Sequence, residues 1–502
     1  MLARAFTCQL HGLEGRVVEV EVDTAPGLPA FSVVGLAATS VKEARERVRS
    51  AIRNSGLTFP GRRLTVNLAP AELRKEGAVL DLAIAVAICL AEEGKPAPAN
   101  TAFIGELGLD GGVRHVDGVL VAAQALRRAG FEELLVPACD AAEAALVDGI
   151  RIRRCPTLIQ AVRHLTGEES LRVQPPTASA PARAAAPDDD LKEVHGQQAA
   201  KRALEVAAAG GHHLLMSGPP GSGKTMLARC LPGLLPPLEL AEALEVTALR
   251  SILGDLPDAQ PLAWERPFRS PHHGISMPGL VGGGAQLARP GEVSRAHHGV
   301  LFLDELAEFS PATLQALRQP LEQGRVVITR TGGSVSYPAK FLLVAATNPC
   351  PCGWLGDKQV ACRCTPAAVA SYQRALSGPL LDRIDLRIPV ARPRVEELSA
   401  EPTGEPSADV ALRIEAARRR QLERQGCLNS ALRPLQLRRM APLPPPARRV
   451  LELWCRDRGL TARGFHRAWR VAMTLADLAG AGAPGEEHVM EAMGYRLHDR
   501  AA

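Results

Sequence analysis

Hydrophobic and polar residues alternate over Val17–Val22 and Leu64–Leu68, the period of half-buried strands. Over Val41–Ile52, Leu80–Ala91 and Val119–Ala129 the apolar residues instead recur three and four apart, which predicts helices. The first third of the chain is therefore mixed α and β. The patterning stops between Gly167 and Asp190, where GEESLRVQPPTASAPARAAAPDDD is rich in Pro, Ala and Ser, the composition of a flexible linker. Beyond it, Leu214–Ser217, Val300–Leu303 and Phe341–Ala345 are short, unbroken apolar runs, as expected of parallel strands buried on both faces, and each ends where polar residues begin. Val326–Thr329 and Val335–Tyr337 flank Gly332-Gly333 and predict a hairpin. From about Arg394 strand-like runs cease, and Val410–Gln425, Ala447–Arg458 and Arg463–Leu478 predict helices. The expected organisation is a mixed domain over 1–167, a linker over 168–190, a doubly wound α/β core over 191–393 and a helical lid over 394–502, without internal repeats.

A length of 502 residues agrees with several domains rather than one core. The composition, 46% hydrophobic and 23% charged, is that of a globular protein, and no apolar run is long enough to cross a bilayer. Met1 to Gly12 lacks the charged and apolar regions of a secretory signal, so the expected location is the cytoplasm, away from membranes. Seven of the eleven cysteines are scattered singly, which reads as reduced thiols rather than a disulfide framework. The net charge of +5 says little about partners, but Arg413–Arg470 holds fifteen Arg and no Lys against four acidic residues. That excess either faces a polyanion or is the solvated surface of Arg-rich helices. With 17 aromatic residues in all, a base-stacking platform has little material.

The sharpest chemistry is Gly218, Pro219, Pro220, Gly221, Ser222, Gly223, Lys224 and Thr225, which fits G-x-x-x-x-G-K-[ST] between a strand-like and a helix-like run. Glycines let the backbone wrap phosphates, and the following helix N-terminus adds a favourable dipole. Lys224 is expected to reach the β and γ phosphates of ATP, and Thr225 to ligate Mg2+. About eighty residues on, the buried run Val300–Leu303 delivers Asp304 and Glu305, two adjacent carboxylates that are costly at a strand end unless used. Asp304 is assigned to the Mg2+ water shell and Glu305 to the general base. A third run ends in Ala346-Thr347-Asn348, and Asn348 would orient the attacking water if the three strands are neighbours. Two C-x-C pairs, Cys350/Cys352 and Cys362/Cys364, stand nine residues apart and read as a structural zinc set in preference to free thiols, with a disulfide disfavoured in a reducing compartment.

Four further blocks carry a resemblance: Arg269-Ser-Pro-His-His-Gly274, Arg289-Pro-Gly-Glu-Val-Ser294 leading into Gly299–Glu305, Asn348-Pro-Cys-Pro-Cys-Gly353, and Ser377–Asp385. Over essentially its whole length the chain resembles the Mg-chelatase-like AAA+ ATPases of the ComM (YifB) type. The resemblance implies an inactive Lon-protease-like (ribosomal S5 domain 2-like) α+β domain, a P-loop AAA+ core and a helical lid. It also implies a homohexamer with ATP sites between subunits, in which Arg383 is the arginine finger unless it pairs locally with Asp382 or Asp385. Arg463 resembles the sensor-2 arginine, with Arg467 one turn on as the alternative, and His195-Gly196-Gln197 resembles the box that packs on adenine. His272–Gly284 and the hairpin at Arg330 correspond to the family's pore insertions, which makes Arg330 a DNA-phosphate candidate; His272 and His273 are expected simply to be exposed. A Lon-type Ser-Lys dyad is missing, because Val79 occupies the serine position and Arg114-His-Val-Asp117 follows Gly111-Gly-Val113 without a lysine. The activity implied is an ATP-driven DNA motor, a helicase acting on single-stranded or branched DNA during recombination in natural transformation. The alternatives are a magnesium-chelatase-type ATPase, an ATP-dependent protease, which the missing dyad argues against, and an AAA+ remodeller of protein partners.

Overall fold

In the computed structural model the chain forms two compact units, one of residues 1–181, 240–263 and 331–336 and the other of 182–239, 264–330 and 337–502. The structure describes all residues except 1, 36–38, 74, 76, 178–188, 258–260, 285–287, 331–332, 358, 377–379, 394–395, 397–403, 460 and 497–502. Gly332 of the expected hairpin turn and Ser377–Pro379 of the fourth block thus lie outside the described residues.

The first unit is built on a seven-stranded mixed sheet. Its strands are β1 (Leu2–His11), β2 (Glu14–Ala25), β3 (Ala30–Val34), β4 (Arg63–Ala69), β5 (Thr101–Phe103), β6 (Glu133–Pro137) and β7 (Arg151–Cys155), in the order β3-β4-β2-β1-β5-β6-β7. β1 shows why both faces are covered. Ala3 and Ala5 join one apolar cluster while Phe6, Cys8 and Leu10 join another, because successive side chains leave a strand on opposite sides. Helices α1 (Thr39–Asn54) and α2 (Asp81–Glu93) supply the first cluster, and α3 (Val119–Arg128) supplies the second. α2 is apolar all round and buried from Asp81 to Ala91, as a core helix must be. The segment 240–263, which lies within the sequence span expected to form the core, packs in this unit: Ser251 donates to Glu143 at 2.6 Å, and Ala248 joins Leu120 and Val121. Within the span expected to be a linker, Leu171 is buried in the α2 cluster and Val173 bridges to Arg153, while residues 178–188 lie outside the described residues.

The second unit carries a five-stranded, all-parallel sheet of β8 (Leu214–Ser217), β9 (Phe268–Arg269), β10 (Val300–Leu303), β13 (Leu342–Thr347) and β14 (Leu386–Pro389), in the order β9-β10-β13-β8-β14. β10 and β13 are buried at every position, which explains their continuous apolar sequences. β11 (Arg325–Arg330) and β12 (Gly333–Pro338) form the separate hairpin; along β11 Val326 and Ile328 are buried while Arg325, Val327, Thr329 and Arg330 face solvent. Helices α4 (Gln198–Gly210), α5 (Lys224–Leu234), α6 (Pro366–Leu376), α7 (Ser407–Gln425), α8 (Pro445–Arg458), α9 (Ala462–Ala479) and α10 (Glu486–Gly494) include the expected helical C-terminal region. One apolar cluster runs from Leu204, Leu227, Phe302 and Val344 to Ile414, Trp469 and Leu475, so the C-terminal helices share the core of the sheet. Among the described residues, no helix is long and apolar enough to cross a membrane.

A buried polar chain stitches sheet to helices. His212 meets Asp385 at 3.3 Å and Thr474 at 2.8 Å, Asn429 donates to Thr474 and Asp477, and Arg424 grips Asp477 at 2.6 and 3.0 Å. Much of the arginine excess serves such purposes: Arg413 pairs with Glu205 and Glu405, Arg418 and Arg420 donate to backbone carbonyls, and Arg467 reaches Asp385. Next to this chain, a ring nitrogen of His213 accepts the Leu343 N–H at 3.1 Å, and burial pulls its pKa down to about 4. Between roughly pH 6.5 and 4 the unfolded chain therefore holds a proton that the folded chain refuses, and stability falls as pH falls through that window, by up to about 1.4 kcal/mol per pH unit from this group. Urea unfolding at pH 7 and pH 5 should show a smaller loss of stability in His213→Asn than in the parent. Equal losses would exclude His213 as the source.

Candidate active site

The parallel register brings three strand ends together. Ser217 of β8 lies beside Thr347 of β13, and Leu303 of β10 beside Ala345, so β13 stands between the glycine-rich loop and the two carboxylates. The loop itself turns through Gly221 at φ 73° and Gly223 at φ 85°, values that side-chain-bearing residues avoid. Gly223 then caps α5, whose first residue is Lys224.

Lys224 is 8% exposed, and its ammonium donates to the carbonyls of Gly218 (2.7 Å) and Pro219 (2.9 Å), to Ser222 Oγ (3.4 Å) and to Asn348 Oδ1 (3.4 Å). Burial lowers its pKa, and the nearby charges of Asp304 and Glu305 partly offset that. Thr225 Oγ1 donates to Asp304 Oδ2 at 2.8 Å, and the other Asp304 oxygen accepts the Glu305 N–H at 2.9 Å. A hydroxyl and a carboxylate at this separation are the hard oxygen donors that Mg2+ prefers, so the pair fits that ion. Glu305 adopts φ 50°, a left-handed conformation rare outside glycine and costing about 1 kcal/mol or more, which turns the chain out of the strand immediately after Asp304. Its carboxylate meets His273 Nδ1 at 3.2 Å.

His273 is thus a site residue that sequence reasoning placed in a solvated loop. Its ring lies against that of His272, tilted by 36° with centroids 4.0 Å apart, and the preceding Arg269 grips Glu292 at 2.6 and 2.8 Å, joining two of the four sequence blocks. Nothing in local periodicity marks such pairs, although the shared motif Arg-Ser-Pro-His-His-Gly was the available signal.

The other candidates fall at varied places. Gln197, also left-handed at φ 54°, donates to the carbonyls of Ser222 (3.3 Å) and Ala391, so His195-Gly196-Gln197 adjoins the loop. Arg383 is paired with Glu322, and Asp385, one of its two expected local partners, is engaged instead by His212 and Arg467. Arg463 lies exposed in the first turn of α9, where Thr461 caps the helix, and no described residue of the loop bonds it. Arg330 is exposed at the end of β11. Cys350, Cys352, Cys362 and Cys364 converge, their Sγ atoms all within 4.8 Å of one another.

Models of the magnesium chelatase subunit ChlI match residues 20–140 and 190–398, and a model of its C-terminal part matches 404–496. An uncharacterized protein of Mycobacterium tuberculosis is 46% identical over 505 residues, covering 99% of this chain and 98% of its own length. YifB of Escherichia coli is 43% identical over 494 residues (97% of this chain, 96% of YifB), and competence protein ComM of Haemophilus influenzae is 41% identical over 508 (99% and 97%). The chain belongs to the ComM/YifB family of Mg-chelatase-like AAA+ proteins. A magnesium-chelatase 38 kDa subunit of Rhodobacter capsulatus is more distant, at 27% identity over 266 residues, half of this chain and 64% of that subunit. Membership in the ComM/YifB family implies an ATPase that uses ATP and Mg2+, and the converging strand ends supply groups of the kind that chemistry needs.

One consequence concerns Gly218. A Cβ there would overlap the Val390 carbonyl oxygen at the end of β14. Gly218→Ala should therefore displace the loop and weaken binding of a fluorescent ATP analogue about tenfold or more, the effect of roughly 1–3 kcal/mol of overpacking. Unchanged affinity would show that the loop is not held by this contact.

Proposed function

We propose that this chain is an ATP-driven DNA motor, a hexameric helicase that promotes branch migration of recombining DNA during natural transformation. The observation carrying the ATP-hydrolysing half is the Thr225–Asp304 hydrogen bond of 2.8 Å beside Lys224, Glu305 and Asn348 at adjacent strand ends. The DNA half rests on full-length similarity to competence protein ComM, against half-length similarity to the chelatase subunit.

In this reading Lys224 neutralises the β and γ phosphates, while Thr225 and Asp304 hold Mg2+, which supplies charge stabilisation to the phosphoryl group in transfer. Glu305 accepts the proton of the attacking water, and Asn348 orients that water. His195-Gly196-Gln197 borders the adenine. Arg383 exchanges Glu322 for the nucleotide of a neighbouring copy, where it stabilises transition-state charge. Arg463, exposed at the start of α9, is better placed than Arg467 to act as the sensor, because Arg467 is committed to Asp385. Arg330 grips phosphates in a ring pore, and the first unit, Lon-like without a nucleophile, serves as a platform.

Steady-state ATPase assays with and without single-stranded and forked DNA test this reading. Hydrolysis should rise with DNA, drop about 100-fold or more in Glu305→Gln, and drop by a comparable or larger factor in Arg383→Ala. Glu305-dependent hydrolysis that ignores DNA would favour remodelling of a protein partner, and hydrolysis unaffected by Arg383→Ala would remove the shared interface.

A further inference from the structure

Among its described residues the segment between β13 and α6, residues 348–365, has no helix or strand, and turns shape it: Gly353 donates its N–H to Cys350 O at 2.9 Å, and Asp357 accepts from Gln359 and Val360. What gathers it is sulfur. Cys350 Sγ lies 3.4 Å from Cys352 Sγ and 3.7 Å from Cys362 Sγ, and the Cys352–Cys362 pair is 3.6 Å apart. Cys364 completes the group, its sulfur accepting the Cys352 N–H at 3.3 Å. Sulfurs joined in a disulfide lie about 2.0 Å apart, so these four are not paired off. A tetrahedral ion with metal–sulfur bonds of about 2.3 Å requires sulfur–sulfur edges of about 3.8 Å, close to the distances observed. An N–H donated to sulfur is the outer contact such sites use to orient and stabilise a thiolate.

The same segment abuts the nucleotide loop. A Cβ at Gly353, already left-handed at φ 84°, would come within 2.5 and 2.8 Å of two Pro220 ring carbons, so Gly353 lies flush against the loop. Two residues before Cys350, Asn348 accepts from Lys224. Whatever fixes the sulfurs also fixes this wall.

We propose that Cys350, Cys352, Cys362 and Cys364 bind one Zn2+ ion as four thiolates, and that this clip braces Pro220 and Asn348 in the wall of the phosphate loop. The ion displaces the four thiol protons to solvent, with no change of oxidation state. Residue types and spacing exclude a catalytic role for the metal, since all four positions are filled by protein sulfur and none is left for water. The bracing half rests on the nucleotide reading given above; the zinc half does not.

The test begins with elemental analysis of the full-length chain purified without added metal. About one zinc per chain is expected, released stoichiometrically when a mercurial titrates the thiols, while Cys362→Ser/Cys364→Ser should fall below about a tenth and Cys427→Ser should keep its metal. Replacement by Co2+ should give the absorption bands of a tetrahedral tetrathiolate site. A parent protein lacking zinc that also fails to take up Zn2+ or Co2+ when supplied under reducing conditions would overturn the site, as would zinc retained by the double variant. For the bracing half, Gly353→Val should keep its zinc yet bind a fluorescent ATP analogue about tenfold more weakly. Retention of both zinc and affinity would overturn the bracing while leaving the metal site standing. If neither parent nor variant bound the analogue, the nucleotide reading itself would have failed, and the zinc analysis would still decide the first half.

Discussion

The site depends on β13 being paired along both edges. Its parallel register with β8 on one side and β10 on the other pairs Ser217 with Thr347 and Leu303 with Ala345, so the chain leaves three adjacent strands at the same edge of the sheet, within two residues of one another. Everything chemical follows from those exits: the glycine loop from β8, Asp304 and Glu305 from β10, and Asn348 from β13. Because a parallel sheet buried on both faces tolerates only apolar residues within it, polar groups collect at its ends, and the carboxyl ends are where an open α/β sheet binds ligands. The Thr225–Asp304 and Lys224–Asn348 bonds each join α5 or its cap to a different strand end, and they give the site its dimensions.

Around that centre the second unit shows a division of labour among its charged groups. Asp385, Asp477 and Glu205 are buried or nearly so, and each is satisfied by arginine or histidine from the helices packed on the sheet. Other carboxylates are more exposed: that of Glu305 meets His273 at 3.2 Å, and that of Glu322 holds Arg383. Under the function proposed above, the frame would survive the cycle while Glu305 and Arg383 exchanged partners as nucleotide and a neighbouring copy arrived.

What the sequence disclosed was whatever is encoded locally. The loop Gly218–Thr225, the runs β8, β10 and β13, the hairpin and the helices of the C-terminal region all rest on spacing or composition within a dozen residues, and the structure has them within a few residues of the expected bounds. The features it hid are pairings between distant residues. His273 reads as a loop histidine until the fold brings it to Glu305, 32 residues later, and nothing near Arg383 in the sequence points to Glu322, 61 residues earlier. The left-handed turn at Glu305 is likewise invisible, since no glycine announces it. Leu171, buried amid a linker-like composition, is also not marked by its neighbours in the sequence.

The central claim, that ATP turnover at these strand ends moves DNA, is tested most directly with a synthetic four-way junction bearing homologous arms. The purified chain should resolve the junction into duplex products when ATP and Mg2+ are supplied, and should leave it intact with a non-hydrolysable analogue. Steady hydrolysis of ATP with the junction unmoved would contradict the account.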